Sequence, residues 1–211
     1  MVKSEKIWNL MADSFDEGEK NFEPIHKRTV EKTKNYLDLN DVVLDYGCGT
    51  GSKSFEISGD VKEVLGIDIS SKMLDIARRK AVEGKFENVD FKEATIFDER
   101  LKKESFDVIM AFNILHYLED TQEVMERINE LLKPGGFFIS STECMGEEKK
   151  LSRILTFSAL FVLTKTGAVP VRYFKFSELE NLITKGHFQI LETEKMDLRA
   201  LKFYFIVGKK V

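Results

Sequence analysis

The sequence predicts an α/β fold: a doubly wound, mostly parallel sheet of seven strands with an antiparallel terminal strand pair and helices on both faces. Short apolar runs alternate with amphipathic segments from about residue 40 onward, which is typical of parallel strands joined by right-handed helical crossovers. Two strand-like segments, HFQILETEKM and LKFYFIVGKK, close the chain with few residues between them. Such neighbours are expected to pair antiparallel.

The first three strands and the helices between them follow from short apolar runs. DVVLDYG is typical of a buried strand, and SKSFEIS begins a helix just after it. VKEVLGIDIS predicts a second strand that ends at Asp68. The apolar residues of SSKMLDIARRKAVEGK fall near one helical face, so this segment predicts an amphipathic helix capped by Ser70 or Ser71. NVDFKEA predicts the third strand.

The second half of the sheet is predicted in the same way. SFDVIMAFN is expected to form the fourth strand and FFISST the fifth. Between them, TQEVMERINELLKPGG predicts a helix that is closed by Pro134 and Gly135. SELENLITKG predicts a further capped helix, which ends at Gly186.

Composition excludes several classes of protein. The chain has 211 residues, 32% of them charged, with a net charge of -4, so we expect a globular protein and no nucleic-acid partner. Cys48 and Cys144 lie far apart and lack metal-ligand spacing, which favours a reduced, cytoplasmic setting and no metal site. The first twenty residues carry charge throughout, and no apolar run approaches the length of a bilayer span. We therefore expect neither a signal peptide nor integral membrane association.

A glycine-rich turn follows the first predicted strand, in the segment VVLDYGCGTGS. In a doubly wound sheet, this turn lies at the edge where ligands bind. Gly47, Gly49 and Gly51 permit backbone conformations closed to other residues and allow a ligand to lie against the backbone. The dinucleotide fingerprint requires glycine where Ser52 stands. The turn therefore suits a nucleoside ligand and disfavours, without excluding, a nicotinamide-dependent oxidoreductase.

Two acids accompany the turn. Asp68 ends the second strand, 21 residues after Gly47, where an acid can accept hydrogen bonds from ribose hydroxyls. The alternative is that Asp68 caps the following helix. Asp45 lies inside an apolar run, and a buried carboxylate is costly unless it is hydrogen-bonded. We expect Asp45 to accept from amides of the turn or from a ligand ammonium.

The segments VVLDYGCGTGS and VLGIDIS, followed in order by VDFKEATIF, FDVIMAFNILHYLED and LLKPGGFFISS, resemble the class I S-adenosylmethionine-dependent methyltransferases. The resemblance covers about half of the chain, roughly from Asn40 to Thr142. It implies a Rossmann-like fold, S-adenosylmethionine as cofactor with S-adenosylhomocysteine as product, and transfer of a methyl group to a small-molecule acceptor. A non-catalytic module that binds the cofactor remains an alternative.

The resemblance also implies cofactor contacts at matching positions. The backbone around Gly47 and Gly49 would hold the methionine portion, and Asp68 would hold the ribose. Further contacts are expected from Asp45, from Cys48 and Gly51 in the turn, from Ile69 packed on the adenine, from Ala94 and Thr95 at the adenine edge, and from Ala111 and Phe112 at the methionine end. Many family members carry an acid where Thr95 stands. Phe15 and Phe22 either close over the cofactor or belong to ordinary packing.

Methyl transfer from a sulfonium is an in-line displacement, so the protein must mainly align the acceptor and exclude water. A general base is needed only if the acceptor arrives protonated. His116, just past the fourth strand, and Glu143, just past the fifth, are the candidate catalytic residues, with His26 as a third candidate. Ordinary alternatives are a helix-packing histidine at 116 and a solvated loop acid at 143. Cys144 is expected to be a small buried residue.

The chain is expected to form one domain, residues 1–211, because no linker or repeat divides it. Ile7, Trp8, Met11 and Phe15 fall on one helical face, which predicts either an N-terminal lid or a helix that flanks the sheet. The apolar segment LSRILTFSALFVLTKTGAVPVRYF predicts either a core helix or the roof of a pocket for an apolar acceptor. The expected parts are the helical lid, the cofactor-binding core, the apolar helical insert and the terminal strand pair, at residues 1–39, 40–142, 143–186 and 187–211.

Overall fold

A computed structural model describes residues 2–147 and 171–211, with side chains described from residue 4 onward. Most of the apolar segment that the sequence assigns to a core helix or pocket roof lies between these ranges. The choice between those two interpretations therefore falls outside the described residues.

The described residues form seven strands and six α-helices. The strands are β1 (Val42–Tyr46), β2 (Glu63–Asp68), β3 (Val89–Glu93), β4 (Phe106–Phe112), β5 (Leu132–Glu143), β6 (Phe188–Leu198) and β7 (Leu201–Lys210). The α-helices are α1 (Val2–Glu19), α2 (Glu23–Thr33), α3 (Ser52–Ile57), α4 (Ser71–Gly84), α5 (Thr121–Leu131) and α6 (Phe176–Lys185). A short 3-10 turn at Leu115–Tyr117 joins β4 to α5.

The sheet has the order β3-β2-β1-β4-β5-β7-β6. The pairs from β3 through β5 are parallel, and β7 runs antiparallel to both β5 and β6. This confirms the predicted fold class, including the antiparallel terminal pair. The strand order reverses between β1 and β4, so the carboxyl ends of these strands form the crevice where doubly wound sheets bind ligands.

Both faces of the sheet are covered, which explains why the central strands are almost continuously apolar. Successive residues of a strand point to opposite faces. In β1, Leu44 belongs to a core that contains residues of α5 and α6. Val43 belongs to a second core, which contains residues of α2 and Ile57 of α3. All of the central strands are thereby held rigidly behind the ligand-binding edge.

The fifth strand begins earlier than the sequence predicts. Helix α5 ends at Leu131, and β5 starts at Leu132 instead of at Phe137. Leu132 pairs with Phe106, but the register then shifts before pairing resumes at Phe137. Pro134 and the left-handed Gly135 (φ 77°) therefore lie in an irregular stretch of strand. The prediction was wrong here because proline and glycine are typical of both helix ends and strand bulges.

Capping and chain topology agree with the sequence elsewhere. The hydroxyl of Ser70 accepts a hydrogen bond from the backbone N–H of Met73 at 3.2 Å, so Ser70 is the N-cap of α4. Over residues 2–147 and 171–211, no helix is both long enough and apolar enough to cross a membrane.

Candidate functional site

The glycine turn between β1 and α3 adopts left-handed backbone conformations at each glycine. The φ angles are 75° at Gly47, 54° at Gly49 and 81° at Gly51. The backbone N–H groups of Gly47 and Cys48 both donate to the carbonyl of Ile67 in β2, at 2.8 and 3.1 Å. The turn is therefore fixed against the end of the neighbouring strand.

Side chains from two directions lie directly against this turn. A Cβ atom on Gly47 would lie 2.3 Å from Ile114 Cδ1, which comes from the loop after β4. A Cβ on Gly49 would lie 3.3 Å from Phe15 Cε1 of α1. Backbone conformation therefore favours glycine at both positions, and a side chain at Gly47 would also displace Ile114.

Asp68 joins the end of β2 to the glycine turn. Its Oδ2 accepts a hydrogen bond from the Gly49 N–H at 3.0 Å, and its Oδ1 accepts from the Ser70 N–H at 2.8 Å. Burial raises the pKa of Asp68, and these backbone N–H groups oppose that rise. A carboxylate has about four lone-pair positions, so acceptor capacity remains for ribose hydroxyls. Because Ser70 caps α4, the capping alternative for Asp68 is unnecessary.

Asp45 is buried in β1, as its apolar surroundings in the sequence indicate. The Ser54 hydroxyl of α3 donates to Asp45 Oδ2 at 2.6 Å. The sequence instead indicated amides of the turn or a ligand ammonium as donors, and the ammonium contact stays a prediction. Burial raises the pKa of Asp45 to about 6, a rise that the Ser54 hydrogen bond and Lys53 oppose and Asp68 reinforces. Its carboxyl group therefore titrates close to neutral pH.

Three further predicted contacts lie on the β2 and β3 side of the turn. Cys48 packs against β2, since a Cβ on Gly66 would lie 2.9 Å from Cys48 Sγ, and burial raises the pKa of this thiol. Ala94 donates its N–H to the Asp68 carbonyl at 3.1 Å. Thr95 Oγ1 accepts from the backbone N–H of Phe97 at 3.3 Å. The Thr95 hydroxyl thus stabilises its own turn beside the predicted adenine edge.

Ile69, Ala111 and Phe112 complete the predicted cofactor contacts. Ile69 is half-buried directly after β2. Ala111 is fully buried and Phe112 is half-buried at the end of β4. The ends of β1, β2 and β4 therefore bring the predicted contacts to one edge of the sheet, while each residue's role toward a cofactor remains a prediction.

Helix α1 lies across the glycine turn and is tied down by polar contacts. Asp16 accepts from the Thr50 hydroxyl at 2.6 Å and pairs with Lys80 at 2.6 Å. Glu19 pairs with Lys53 at 2.5 Å. These contacts join α1 to both helices that flank the turn. Such a position is suited to a lid, and that role remains a prediction.

Phe22 occupies a different place from Phe15. Its ring lies edge-on to Phe203 of β7, with centroids 6.1 Å apart, and 6.2 Å from the ring of His26. Phe22 therefore packs near the ends of β5 and β7. Only Phe15 of this pair lies against the glycine turn.

His116 is enclosed beside the ends of β4 and β5. It is 1% exposed, and its ring lies 4.0 Å from that of Tyr117. Burial lowers the pKa of His116 to about 3, so the imidazole is neutral near pH 7. Its Nδ1 is buried and has no hydrogen-bond partner in the part of the chain that the structure describes. The geometry is compatible with packing and with a proton-accepting role.

Glu143 is buried at the end of β5, where it pairs in register with Phe203. The solvated-loop alternative therefore does not describe its environment. Burial raises the pKa of Tyr117, and the charges of Glu143 and Glu19 raise it further. This coupling places the Glu143 carboxyl near the Tyr117 phenol. Cys144, the next residue, is fully buried, and burial raises the pKa of its thiol.

His26 lies farther along α2 and is mostly buried. Its Nε2 is 3.4 Å from a carboxylate oxygen of Glu19. Burial lowers the pKa of His26 to about 4, Lys53 lowers it further and Glu19 opposes both. Like His116, it is neutral near pH 7.

Sequence reasoning did not single out Asn113 or Tyr117, and it assigned Trp8 only to the face of the predicted N-terminal lid. Tyr117 receives the edge of the Trp8 ring, with centroids 5.0 Å apart, and Asn113 has a left-handed backbone with φ 54°. Both Asn113 and Tyr117 follow β4 within five residues, which is a usable signal because ligand-binding residues follow strand ends in this fold. Trp8 could not be placed, since its contact depends on how α1 docks.

Two further observations concern the rest of the described residues. A surface cleft of about 330 Å³ lies between α4 and β3 and includes Arg78, Phe86 and Asp90. Among the described residues, no group of histidine, cysteine, aspartate and glutamate side chains is arranged to hold a metal ion.

Comparison with known proteins agrees with the fold. Residues 37–197 match the family described as "Methyltransferase domain". A ubiquinone biosynthesis O-methyltransferase of Pasteurella multocida is 32% identical over 148 residues, which are 63% of this chain and 60% of that protein. Its counterpart in Nitrosococcus oceani is 30% identical over 203 residues, covering 92% of this chain and 84% of that protein.

A solved structure extends the likeness to three dimensions. The geranyl diphosphate C-methyltransferase of Streptomyces coelicolor, solved with geranyl diphosphate and S-adenosylhomocysteine, has a TM-score of 0.71. It is 14% identical, and the match covers 88% of this chain and 79% of that one. At this identity, the likeness supports the fold. Because the family match spans well over half of the chain, the protein belongs to the class I S-adenosylmethionine-dependent methyltransferases.

Proposed function

We propose that the protein transfers the methyl group of S-adenosylmethionine to a small molecule held near the ends of β4 and β5. The observation that carries this proposal is the left-handed glycine turn hydrogen-bonded to Asp68 at the strand-order reversal. Membership of the methyltransferase family supports it.

The residues at the turn fit this cofactor. When bound, it supplies a methyl group activated by a sulfonium, and it also carries a cationic ammonium. Asp45 and Asp68 place two carboxyl groups beside the turn, which favours a cationic ligand. Asp68 also has acceptor capacity for ribose hydroxyls. Gly47 and Gly49 supply the left-handed backbone conformations that shape the turn.

The acceptor is proposed to bind against aromatic rings. Trp8 and Tyr117 meet edge-on on one side, and Phe22 packs on Phe203 on another. Two of these rings belong to neighbours of the buried Glu143: Phe203 pairs with it in register, and the Glu143 charge raises the pKa of Tyr117. A flat, largely apolar molecule with few polar groups suits such walls. The similarity to proteins named for O-methylation in ubiquinone biosynthesis supports a small acceptor of this kind.

The protein's own contribution is alignment, exclusion of water and proton acceptance. Helix α1, held by Asp16 and Glu19, covers the turn and limits access of water. The ends of β4 and β5 fix the acceptor in line with the activated methyl group. If the acceptor is protonated, the neutral imidazole of His116 and the carboxyl of Glu143 are the proposed groups that hold its proton. Cys48 and Cys144 are both free thiols, which suits the cytoplasmic location that we propose.

Binding and turnover test the proposal separately. Fluorescence of Trp8, the single tryptophan of the chain, should respond to S-adenosylmethionine and to S-adenosylhomocysteine but not to a nicotinamide dinucleotide. Label from a methyl-labelled donor should then appear in small molecules of a metabolite extract. Binding without any transfer would instead favour the non-catalytic module. A response to the dinucleotide alone would remove the proposal altogether.

A further inference from the structure

Asn113, the first residue after β4, has an unusual backbone. Its φ angle is 54°, in the left-handed region. Its backbone N–H donates to the carbonyl of Ser141 in β5 at 2.8 Å. Asn113 is therefore held firmly between the ends of two adjacent strands, at the edge of the sheet where the acceptor is proposed to bind.

The Asn113 side chain presents a carbonyl oxygen that is not satisfied. Oδ1 is buried, and it has no hydrogen-bond partner within residues 2–147 and 171–211. Asparagine is one of the residues that tolerate a left-handed backbone, so conformation alone could account for its presence. A buried carbonyl without a donor is nevertheless unfavourable, and a site that leaves one in place calls for an explanation.

The loop that begins at Asn113 lies directly against the glycine turn. The side chain of Ile114, the next residue, fills the space beside Gly47. Two residues farther on, His116 contributes Nδ1, a second buried polar atom without a partner among the described residues. Near pH 7 the imidazole is neutral. At positions 113 and 116 the loop therefore carries hydrogen-bond acceptors and no positive charge.

We propose that Asn113 binds the methyl acceptor, with Oδ1 accepting a hydrogen bond from an O–H or N–H group that is the methylated nucleophile. The acceptor is then an alcohol, phenol or amine and not a carbon nucleophile. This inference rests on the proposed function and adds the class of its substrate.

The chemistry balances with the groups present. The bond between the acceptor heteroatom and the methyl carbon forms as the bond between the sulfur and that carbon breaks. The leaving group is a neutral thioether, and the positive charge passes to the acceptor heteroatom. For an oxygen acceptor, the resulting oxonium is a far stronger acid than an imidazolium. Its proton can therefore pass to His116 even though burial makes that imidazole a weak base, and then to solvent.

Asn113→Gly separates this role from a purely conformational one. Glycine adopts φ 54° without strain, so the variant keeps the backbone and loses only the carboxamide. We expect unchanged affinity for S-adenosylhomocysteine and a fall in kcat/KM for the acceptor of about tenfold or more, as for one lost hydrogen bond. Asn113→Asp tolerates the same backbone and keeps an acceptor oxygen, so it should retain most of the activity.

Lys85→Gly is the matched control. Lys85 is exposed at the end of α4 and has φ 56°, so this variant changes a left-handed residue far from the acceptor. Its kcat/KM should equal that of the unmodified protein. The probes are methyl-labelled S-adenosylmethionine with a defined panel of alcohols, phenols, catechols and amines, and geranyl diphosphate as the carbon nucleophile.

The outcomes are distinguishable. Label on oxygen or nitrogen in the panel, lost with Asn113→Gly and retained with Lys85→Gly, supports the proposal. Label only in geranyl diphosphate, no label in any panel member despite cofactor binding, or full activity of Asn113→Gly overturns it. Failure of the unmodified protein to bind the cofactor would instead refute the proposed function on which this inference rests.

Discussion

Replacing Asp68 by alanine tests the cofactor site most directly. The substitution removes the carboxylate that accepts hydrogen bonds from the N–H groups of Gly49 and Ser70, at 3.0 and 2.8 Å. It also removes the proposed acceptor for the ribose hydroxyls. Two separate losses are therefore expected, one in the order of the empty turn and one in affinity for the cofactor.

The structure sets the size of each loss. A hydrogen bond to a charged group contributes about 1.5–3 kcal/mol. Burial raises the pKa of Asp68, which shows that desolvating the charge offsets part of this gain. We therefore expect the free energy of cofactor binding to weaken by roughly 1.5–3 kcal/mol, or about 10- to 150-fold in Kd. The free energy of unfolding should fall by about 1–3 kcal/mol, or several degrees in Tm for a chain of this length.

Calorimetric titration with S-adenosylhomocysteine measures the first loss, and thermal unfolding without ligand measures the second. Asp75→Ala is the control, because Asp75 is an exposed acid on α4 that pairs with Arg78 at 3.2 Å. That pair should contribute little. A folded Asp68→Ala protein that binds the cofactor as tightly as the control would refute the assignment of the ribose site.

Three further perturbations probe the same edge of the sheet. Gly49→Val should abolish the rise in Tm that S-adenosylmethionine produces, because φ at this position is 54° and Phe15 lies 3.3 Å from the new Cβ. The control is Gly59→Val, which has open space around it and should keep that rise. The folded protein holds a proton on Asp45 up to about pH 6, whereas the unfolded chain releases it near 3.8, so stability falls by roughly 3 kcal/mol as pH rises through this window. Asp45→Asn should therefore stabilise the protein in urea unfolding at pH 7.5 and not at pH 3.5, and equal gains at both would contradict the raised pKa. His116 has the opposite sign: its pKa is about 3 when folded and 6.5 when unfolded, so its stability contribution is complete above pH 6.5 and is lost toward pH 3. His116→Gln should therefore reduce the loss of unfolding free energy between pH 6.5 and pH 3. An unchanged dependence of stability on pH would show that His116 is not buried in neutral form.

The sequence alone was sufficient for the architecture and for the position of the glycine turn. Alternating apolar and amphipathic segments indicate the parallel sheet because each strand must bury both faces, and that pattern is local. The glycine turn was equally readable, since left-handed backbone at Gly47, Gly49 and Gly51 requires a particular residue type. Asp68 could be located because it ends the second strand, and the carboxyl end of that strand lies beside the glycine turn in a doubly wound sheet.

Tertiary contacts determine the other features of the candidate site. Glu143 is buried because β7 returns beside β5 and pairs Phe203 with it, which no local pattern near Glu143 reveals. Helix α1 covers the turn through Asp16 and Glu19, whose partners lie more than thirty residues away. The enclosed Oδ1 of Asn113 depends on two strand ends meeting at the Ser141 carbonyl. Burial and hydrogen-bond satisfaction are properties of the surroundings of a residue, so they emerge only when distant segments of the chain are packed together.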